Sequence, residues 1–357
     1  MASASDAARD RDLDPGPARD LGRDLPRVLV VGAAARDIVD DDPRGWRLGG
    51  GVSYTALAIA RLGLPTLAVV GVDAEAASAA ELDLIRAAGA EIHLVPLERG
   101  PIFVNIERPE GRLQLCHSPS DPIPVDAVPE AWRSSVGWLL VPVAGELPGD
   151  WEAAPPDGAF VGLGWQGMLR VLTAGEAVRH IRPKPHPVVR RADLAGLSRD
   201  DVDRDVQIHE LTGFLRPGAT LVVTQGDRGG IVARRAGDRT RLRHYPAVPS
   251  RDPVDPTGAG DVFLAGLAAA RIEPRLVGGR LAAGYDLLMA AAAASLVLEG
   301  PGLHGVPDRD AIRQRMAEAR GWAVESASDG HAREPGPSPV GDHVSAEPGP
   351  STPGRGG

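Results

Sequence analysis

Thiols, long apolar runs and basic blocks are scarce in this chain of 357 residues. Its one cysteine, Cys116, excludes an internal disulfide and a metal site built from several thiolates, and it indicates a reducing compartment. The histidines are scattered without ligand spacing, so we expect no protein-bound zinc. The longest apolar run, 287–298, is about half as long as a bilayer span, and we interpret it as a buried helix. We therefore expect no contact with a membrane.

Strong positive charge is absent as well. The net charge is −9 and the isoelectric point is about 5.5, and we find no basic block interleaved with aromatic residues, so we expect no nucleic-acid surface. Residues 1–25 contain no apolar segment of a secretory signal, which favours a cytoplasmic protein. The chain does contain 43% hydrophobic and 24% charged residues, which is the composition of a globular protein with a large core.

The composition divides the chain into one folded domain and two tails. Residues 1–25 and 323–357 are rich in Pro, Gly, Ser and charge and have few large apolar groups, so both are predicted to be disordered. Residues 26–322 are predicted to form a single domain.

The pattern within this domain predicts an α/β fold. Apolar runs at 28–31 and 66–71 alternate with helical patterns at 52–62 and 77–88, and this alternation is typical of a parallel sheet with crossover helices. Three short strands within about 91–118 break the alternation and predict a small antiparallel sheet that could act as a lid. Later segments with the same signals are strands at 137–141, 159–163 and 220–224 and helices at 261–271 and 280–298.

The strongest functional signal is the heptapeptide Asp255–Asp261, of sequence DPTGAGD, which precedes an apolar run of helical length. Gly258 and Gly260 allow the backbone to come close to a ligand, and the first N–H groups of the helix point toward it with the positive end of the helix dipole. Gly258, Ala259 and Gly260 are therefore predicted to bind an anion.

Asp261 gives this anion site its chemistry. A carboxylate that only met a phosphate group would repel it, whereas a carboxylate that takes a proton from a hydroxyl attacking phosphorus has a reason to be there. The pairing predicts phosphoryl transfer with Asp261 as the general base. The alternative is a plain turn in which Thr257 or Asp261 caps the helix.

The heptapeptide and the following Val-Phe-Leu-Ala-Gly-Leu resemble the second signature of the pfkB, or ribokinase-like, carbohydrate and nucleoside kinases. Other motifs follow in the family's order over residues 27–318. The resemblance implies a ribokinase-like three-layer α/β/α sandwich with a small β-sheet lid, ATP as phosphoryl donor and Mg²⁺. The motifs at 49–53, 143–146 and 166–170 look most like the inositol-kinase-like branch, which points to a polyol or sugar acceptor such as myo-inositol.

The resemblance also implies which residues bind the acceptor. Gly49 and Gly50 match a Gly-Gly motif whose backbone closes over the substrate, and Asp37 matches an acidic residue that accepts hydrogen bonds from substrate hydroxyls. Gln166 and Arg170 lie where relatives carry polar and basic side chains that face substrate and phosphates. The structural alternatives are a glycine turn, a solvated acidic cluster and an exposed helix start.

Two departures concern this acceptor site. Ala35 and Tyr54 stand where many members of the family have Asn. We therefore expect the acceptor to be held differently from ribose.

The donor site is implied in the same way. Thr224, Gly226 and Gly229 match the family's Thr-x-Gly-x-x-Gly nucleotide loop, with Thr257 of the heptapeptide beside them, and a strand-end turn is the alternative. Asp201 falls near the acidic residue that organises Mg²⁺ through water, but Ser198 replaces the usual Asn, and a charged surface helix would explain the same residues.

Other interpretations stay open at this point. The sequence 162–167 satisfies Gly-x-Gly-x-x-Gly and would suit an oxidoreductase, but no clear acidic residue follows at the expected distance and prolines interrupt the region. A nucleoside kinase of the same fold and a non-catalytic nucleotide- or sugar-binding sensor are further alternatives. Because lid strands in such folds can pair between subunits, a homodimer is a further expectation.

Overall fold

A computed structural model of the protein describes residues 24–106, 113–236, 239–281, 284–319 and 321–326. The predicted N-terminal tail lies outside these residues except for 24–25, and the predicted C-terminal tail lies outside them beyond Ser326. Within the described part of the chain, no helix combines the length and the apolar character needed to cross a membrane.

The described residues form strands and helices throughout. The strands are β1 (Val28–Ala33), β2 (Ala35–Ile38), β3 (Trp46–Gly49), β4 (Thr66–Val72), β5 (Glu91–Pro96), β6 (Ile102–Ile106), β7 (Leu113–Ser118), β8 (Gly137–Leu140), β9 (Phe160–Gly164), β10 (Arg170–Val171), β11 (Glu176–Ala177), β12 (Arg179–His180), β13 (Leu194–Ser198), β14 (Thr220–Thr224), β15 (Gly230–Ala236), β16 (Arg239–Tyr245) and β17 (Glu325–Ser326). The helices are α1 (Gly51–Arg61), α2 (Glu81–Ala87), α3 (Pro187–Arg191), α4 (Ile208–Gly213), α5 (Ala259–Ile272), α6 (Tyr285–Val297) and α7 (Arg309–Glu318).

The main sheet has ten strands in the order β17-β16-β15-β14-β13-β9-β8-β1-β4-β5. The strands from β5 to β14 in this order run parallel, and β15, β16 and β17 add antiparallel pairs at one end. Because the inner parallel strands are covered on both faces, they are buried along most of their length, whereas the edge strand β5 alternates in exposure.

Helices cover both faces of this sheet. In β1, Val28 and Val30 belong to the core that contains α1, α5 and α6, whereas Leu29 and Val31 belong to the core that contains α3 and α4. Gly266 of α5 lets α6 come close, since a Cβ atom there would lie 3.2 Å from the Cα of Ala290. The predicted three-layer α/β/α sandwich is confirmed.

A second sheet of five strands, in the order β11-β7-β6-β2-β3, forms the lid. The lid begins directly after the main sheet, because only Ala34 separates β1 from β2. It contains one parallel pair, β2 with β6, and is otherwise antiparallel.

The prediction for the lid was wrong at one strand. Glu91–Pro96 pairs with β4 in parallel and closes one edge of the main sheet. Its residues alternate in exposure because an edge strand is covered incompletely, and this alternation resembles that of a lid strand. Strands β2, β3 and β11, which lie far apart in the sequence, complete the lid instead, and residues 107–112 of the predicted lid lie outside the described residues.

Candidate active site

The candidate site lies where two helices begin, beside the carboxyl ends of the parallel strands. Helix α1 starts at Gly51 and helix α5 starts at Ala259. A Cβ atom on Gly51 would lie 3.0 Å from Oδ1 of Asp261 and 3.0 Å from the carbonyl oxygen of Val141. The carboxylate of Asp261 therefore lies against the start of α1 as well as in the first turn of α5.

The loop before α5 is held by Asp255. Its Oδ1 accepts a hydrogen bond of 2.9 Å from the N–H of Thr257, and its Oδ2 accepts one of 3.1 Å from the N–H of Gly302. Gly258 adopts a left-handed conformation with φ 80°, and a Cβ atom there would overlap the ring of Tyr54. Position 258 thus requires glycine both for its left-handed backbone conformation and for its contact with the Tyr54 ring.

The start of α5 is open to a ligand. Gly260 is exposed, and a Cβ atom there would meet no other atom within 4 Å. The first N–H groups of a helix lack acceptors within it, so this end can receive an anion as the sequence predicts.

Asp261 is partly buried in a charged environment. Burial raises its pKa to about 7; the charge of Arg170 lowers it, while Asp201 and Asp37 add to the increase. A carboxyl group with a pKa near neutrality is well matched to accept a proton from a hydroxyl at neutral pH. Arg170, Asp201 and Asp37, which the sequence predicts as site residues, are close enough to Asp261 to influence its charge.

The predicted acceptor residue Asp37 lies in the lid. Its carboxylate lies against Gly49, where a Cβ atom would overlap Oδ2, and its Oδ1 accepts a hydrogen bond of 3.2 Å from Nδ2 of Asn105. Gly50, with φ 87°, lies against the backbone of Ala33 and Ala35. The Gly-Gly pair therefore makes room for Asp37 and for the return of the chain from the lid.

Gln166 and Arg170 are joined to the lid and to Asp201. Nη2 of Arg170 donates to Oε1 of Gln166 at 2.8 Å, and Nε2 of Gln166 donates to Oδ1 of Asp201 at 3.0 Å. Nη1 of Arg170 donates to Oε1 of Gln114 in the lid at 2.7 Å. Gln166 and Arg170, which the resemblance implies as site residues, are therefore brought together with other polar side chains.

Sequence reasoning missed Asn105 and Gln114. Each is a polar residue between two apolar neighbours of a lid strand, and the two lie directly opposite each other in β6 and β7. That pairing was the signal available in the sequence, but it depends on the register of two strands.

The sequence identifies Glu146 only as part of the motif at 143–146. It is buried, and its carboxylate accepts hydrogen bonds from the N–H groups of Ala33 at 2.8 Å, Ala144 at 2.8 Å and Val143 at 3.1 Å. Burial raises its pKa, and these backbone donors oppose the increase. Glu146 thus ties the end of β1 to the turn that follows β8.

The predicted donor loop follows β14. Thr224 ends that strand, and Gly226 is exposed with φ 61°. A Cβ atom on Gly226 would meet no other atom within 4 Å, so its surroundings are open. Gly229 is buried with φ 81°, and a Cβ atom there would overlap the carbonyl oxygen of Tyr245. Gly229 therefore packs against the backbone of Tyr245, and this packing explains the glycine without a nucleotide.

The side chains around Asp201 do not form a metal-binding site. Oδ2 of Asp201 accepts a hydrogen bond of 2.8 Å from the N–H of Ser198, which is the reciprocal cap of a 3₁₀ turn, and Oδ1 is engaged by Gln166. Among the residues with described positions, no group of three or more His, Cys, Asp or Glu side chains could hold a metal ion. The fit to a protein-bound Mg²⁺ is therefore poor.

The described residues have the fold of the ribokinase family. A pyrophosphate-dependent kinase in the ribokinase family, complexed with a pyrophosphate analogue and myo-inositol, superimposes with a TM-score of 0.61 over 80% of this chain and 99% of that chain at 18% identity. Ribokinase from Arabidopsis thaliana, complexed with ribose and ATP, gives a TM-score of 0.56 over 82% of this chain and 99% of its own at 19% identity.

Sequence comparison is more specific. Residues 177–309 match the model of the pfkB family carbohydrate kinases. The chain is 32% identical over 166 residues to the inositol 3-kinase of Oryza sativa subsp. japonica, covering 45% of this chain and 39% of that protein. It is 29% identical over 116 residues to the nucleoside kinase of Methanocaldococcus jannaschii, covering 31% and 34%. These matches span roughly a third to two fifths of the relatives' length. Residues 177–309 are therefore similar to the pfkB family carbohydrate kinases.

Proposed function

We propose that this protein is a kinase that transfers a phosphoryl group from ATP to a hydroxyl of a small polyol or sugar. The observation that carries the proposal is the position of Asp261, which lies at the shared start of α1 and α5 beside an open anion-binding helix end. A carboxyl group with a pKa raised to about 7 at that place is suited to activate a hydroxyl next to a phosphate.

The transfer can be written with its protons and bonds. The acceptor oxygen attacks the terminal phosphorus of ATP in line, and its proton passes to Asp261. The new O–P bond forms as the bond to the leaving phosphate breaks, which releases ADP. The N–H groups of Gly258, Ala259 and Gly260 stabilise the charge on the group in transfer, and Arg170 adds positive charge nearby.

The donor and its metal are part of the proposal. Thr224, Gly226, Gly229 and Thr257 would lie along the nucleotide, of which Gly226 has the open surroundings for it. We expect Mg²⁺ to arrive on the donor phosphates, because Mg²⁺ usually keeps several waters and takes few protein ligands. We assign Asp201 no direct metal bond, since its oxygens accept hydrogen bonds from Ser198 and Gln166.

The acceptor class is proposed from Asp37 and its surroundings. Asp37, Asn105, Gln166 and Arg170 offer hydrogen-bond acceptors and donors within one polar network, which suits a compound with several hydroxyls. The resemblance to an inositol 3-kinase and to a kinase complexed with myo-inositol favours myo-inositol within that class. The resemblance to a nucleoside kinase supports nucleosides as the second candidate.

The test is a coupled assay of ADP or phosphate release over inositols, hexoses, ribose and nucleosides, with ATP and pyrophosphate as donors in parallel. Asp261→Asn should lower acceptor-dependent turnover about 10²- to 10⁴-fold while ATP still binds. Asp310→Asn, in the exposed first turn of α7, is the matched control and should be unchanged. Ligand binding without turnover across the whole panel would instead support a sensor.

We also propose a homodimer through the outer face of the lid. Asn105 and Gln114 contact groups on the inner side, so their neighbours in β6 and β7 point outward. The outer face, defined by apolar residues of intermediate exposure, consists of Ile38, Val104, Ile106, Leu113 and Leu115. An apolar sheet face of this kind suits self-association about a two-fold axis. A cytoplasmic location stays a prediction from the sequence.

A further inference from the structure

Two amide side chains of the lid lie between Asp37 and Arg170. Asn105 and Gln114 are directly opposite each other in the antiparallel pair β6 and β7, and Nε2 of Gln114 donates to Oδ1 of Asn105 at 2.8 Å. Asn105 in turn donates a hydrogen bond to Asp37, and Gln114 accepts one from Arg170. A continuous chain of hydrogen bonds therefore runs from the proposed acceptor carboxylate, through the lid, to a guanidinium beside the proposed base.

The charged ends of this chain fix its direction. A carboxylate can only accept hydrogen bonds and a guanidinium can only donate them, so Asn105 must point its NH₂ group at Asp37, and Gln114 must point its carbonyl oxygen at Arg170. The inner bond then runs from the NH₂ of Gln114 to the oxygen of Asn105, as observed. Neither amide can turn over without breaking two bonds.

Arg170 depends on these contacts for its position. Its guanidinium lies over the ring of Phe103, 5.2 Å from the centroid, and its Nη2 bonds to Gln166. Its Nε is buried and makes no hydrogen bond with the residues that the structure describes. Nη1 contacts Gln114 at 2.7 Å, so among the described residues the lid supplies one of the two side-chain hydrogen bonds that orient the guanidinium.

We propose that Gln114 is a positioning residue of phosphoryl transfer: together with Asn105 it sets Arg170 in register with an acceptor bound at Asp37. The proposal rests on the proposed kinase function and deepens it. Gln114 does not touch the reacting atoms. It acts through Arg170, whose charge stabilises both the transferred group and the ionised form of Asp261.

The experiment compares Gln114→Leu with the wild type and with His117→Leu, an exposed residue of the same strand. Acceptor-dependent kcat should fall about 10- to 100-fold in Gln114→Leu, with the KM for ATP unchanged, because one charge-assisted hydrogen bond to Arg170 is lost. Slow hydrolysis of ATP without acceptor should fall as well, because Arg170 also stabilises a phosphoryl group transferred to water, and His117→Leu should behave as the wild type. Equal kcat values in Gln114→Leu and His117→Leu would overturn the proposal.

A pH profile separates positioning from a general loss of structure. The groups that act on Asp261 are Arg170, which lowers its pKa, and Asp201 and Asp37, which raise it. Tyr54 is also within reach of its charge. If Arg170 moves away, the pKa of Asp261 rises, so the acid limb of kcat/KM should shift to higher pH in Gln114→Leu. A uniform loss of activity with an unshifted limb contradicts the proposal.

A double-mutant cycle tests the route of the effect. Arg170→Lys removes the forked contact, and adding Gln114→Leu to it should cost less than a further threefold in kcat, whereas independent effects would multiply. Should Gln114→Leu not fold, Gln114→Asn serves instead, because its amide is one methylene too short to bridge Asn105 and Arg170. If the wild type shows no acceptor-dependent turnover, the proposed function fails, and this result differs from an active enzyme that tolerates Gln114→Leu.

Discussion

At the scale of single residues, the proposed reaction depends on one carboxyl group. Asp261 has a pKa raised to about 7 by burial, and the nearby Asp201 and Asp37 add to the increase. An unfolded aspartate has a pKa of about 3.9, so the folded protein holds the proton more tightly than the unfolded chain. Ionising Asp261 therefore costs folding free energy, which is the reverse of an aspartate in a salt bridge.

This cost makes a prediction about stability. At pH 8 the free energy of unfolding of Asp261→Asn should exceed that of the wild type by about 1–2 kcal/mol, because the variant has no carboxyl group to ionise. The difference is smaller than the full pKa shift implies, since the group is partly exposed. The gain should disappear near pH 2.5, roughly a unit or more below both pKa values, where the carboxyl group is protonated in both states. Urea unfolding at the two pH values measures it, and a variant that is equally stable as the wild type at both would contradict the raised pKa.

Gly51 provides a second prediction at this scale. A Cβ atom there would lie 3.0 Å from Asp261 and 3.0 Å from the Val141 carbonyl, so Gly51→Ala should displace the carboxylate and lower kcat about 100-fold. Gly213→Ala in α4, where a Cβ atom would meet nothing within 4 Å, is the control. Steady-state kinetics and thermal unfolding are measured on both, and wild-type kcat in Gly51→Ala would show that Asp261 tolerates the shift.

The sequence predicted residues whose role is carried by a local motif. Asp261 and the glycines before it lie in one heptapeptide, and Gln166 and Arg170 were implied by a short motif that resembles that of relatives, so neither prediction needed knowledge of the sheet. Asn105 and Gln114 could not be found in this way, because their contact depends on strand register. Glu146 accepts hydrogen bonds from the distant strand β1, which no local pattern reveals.

At the scale of elements, the presence and type of the helices were predicted better than the sheet to which each strand belongs. Helix α5 begins at Ala259, two residues before the predicted start at 261, because Gly258 supplies the left-handed turn. Strand β5 was assigned to the wrong sheet, since an incompletely covered edge strand and a lid strand show the same alternation. Partners of short strands are decided by the three-dimensional path of the chain.

The loop after β14 gives a prediction for its two glycines. Gly229→Ala should lower the free energy of unfolding by about 3 kcal/mol, because a Cβ atom would be strained at φ 81° and would overlap the backbone at Tyr245. Gly226→Ala should cost only about 1 kcal/mol, since it has φ 61° but open surroundings. Urea unfolding measures the two costs. Equal costs would mean that packing against β16 does not matter at Gly229.

At the scale of the whole molecule, charge is unevenly placed. The antiparallel pair of β15 and β16 carries five arginines, and Arg234 lies directly opposite Arg241, although the chain as a whole has a net charge of −9. Strand β17 pairs with β16 at Arg243 and His244. Charged side chains on such an edge oppose pairing with another chain, which is a sufficient structural reason for them. Absence of nucleic-acid binding stays a prediction.

The proposed dimer is tested at this scale too. Val104→Asp would place a charge on the apolar outer face of the lid and should convert a dimer to a monomer in light scattering coupled to size exclusion. Val136→Asp is the matched control, because Val136 is 50% exposed and lies outside the lid. A wild type that is monomeric at micromolar concentration would refute the dimer without affecting the kinase proposal.

The two ends of the hairpin formed by β2 and β3 lie next to each other, where the hairpin joins the core. Ala35 pairs with Gly49, and a Cβ atom on Gly50 would lie 2.7 Å from the N atom of Ala35. Residues 35–49 therefore form a cassette with adjacent ends, which carries Asp37 but none of the strands of the main sheet. In a chimera, this segment could be exchanged with that of a relative, so that the contribution of Asp37 to the proposed choice of acceptor is varied while the helix starts around Asp261 are left unchanged.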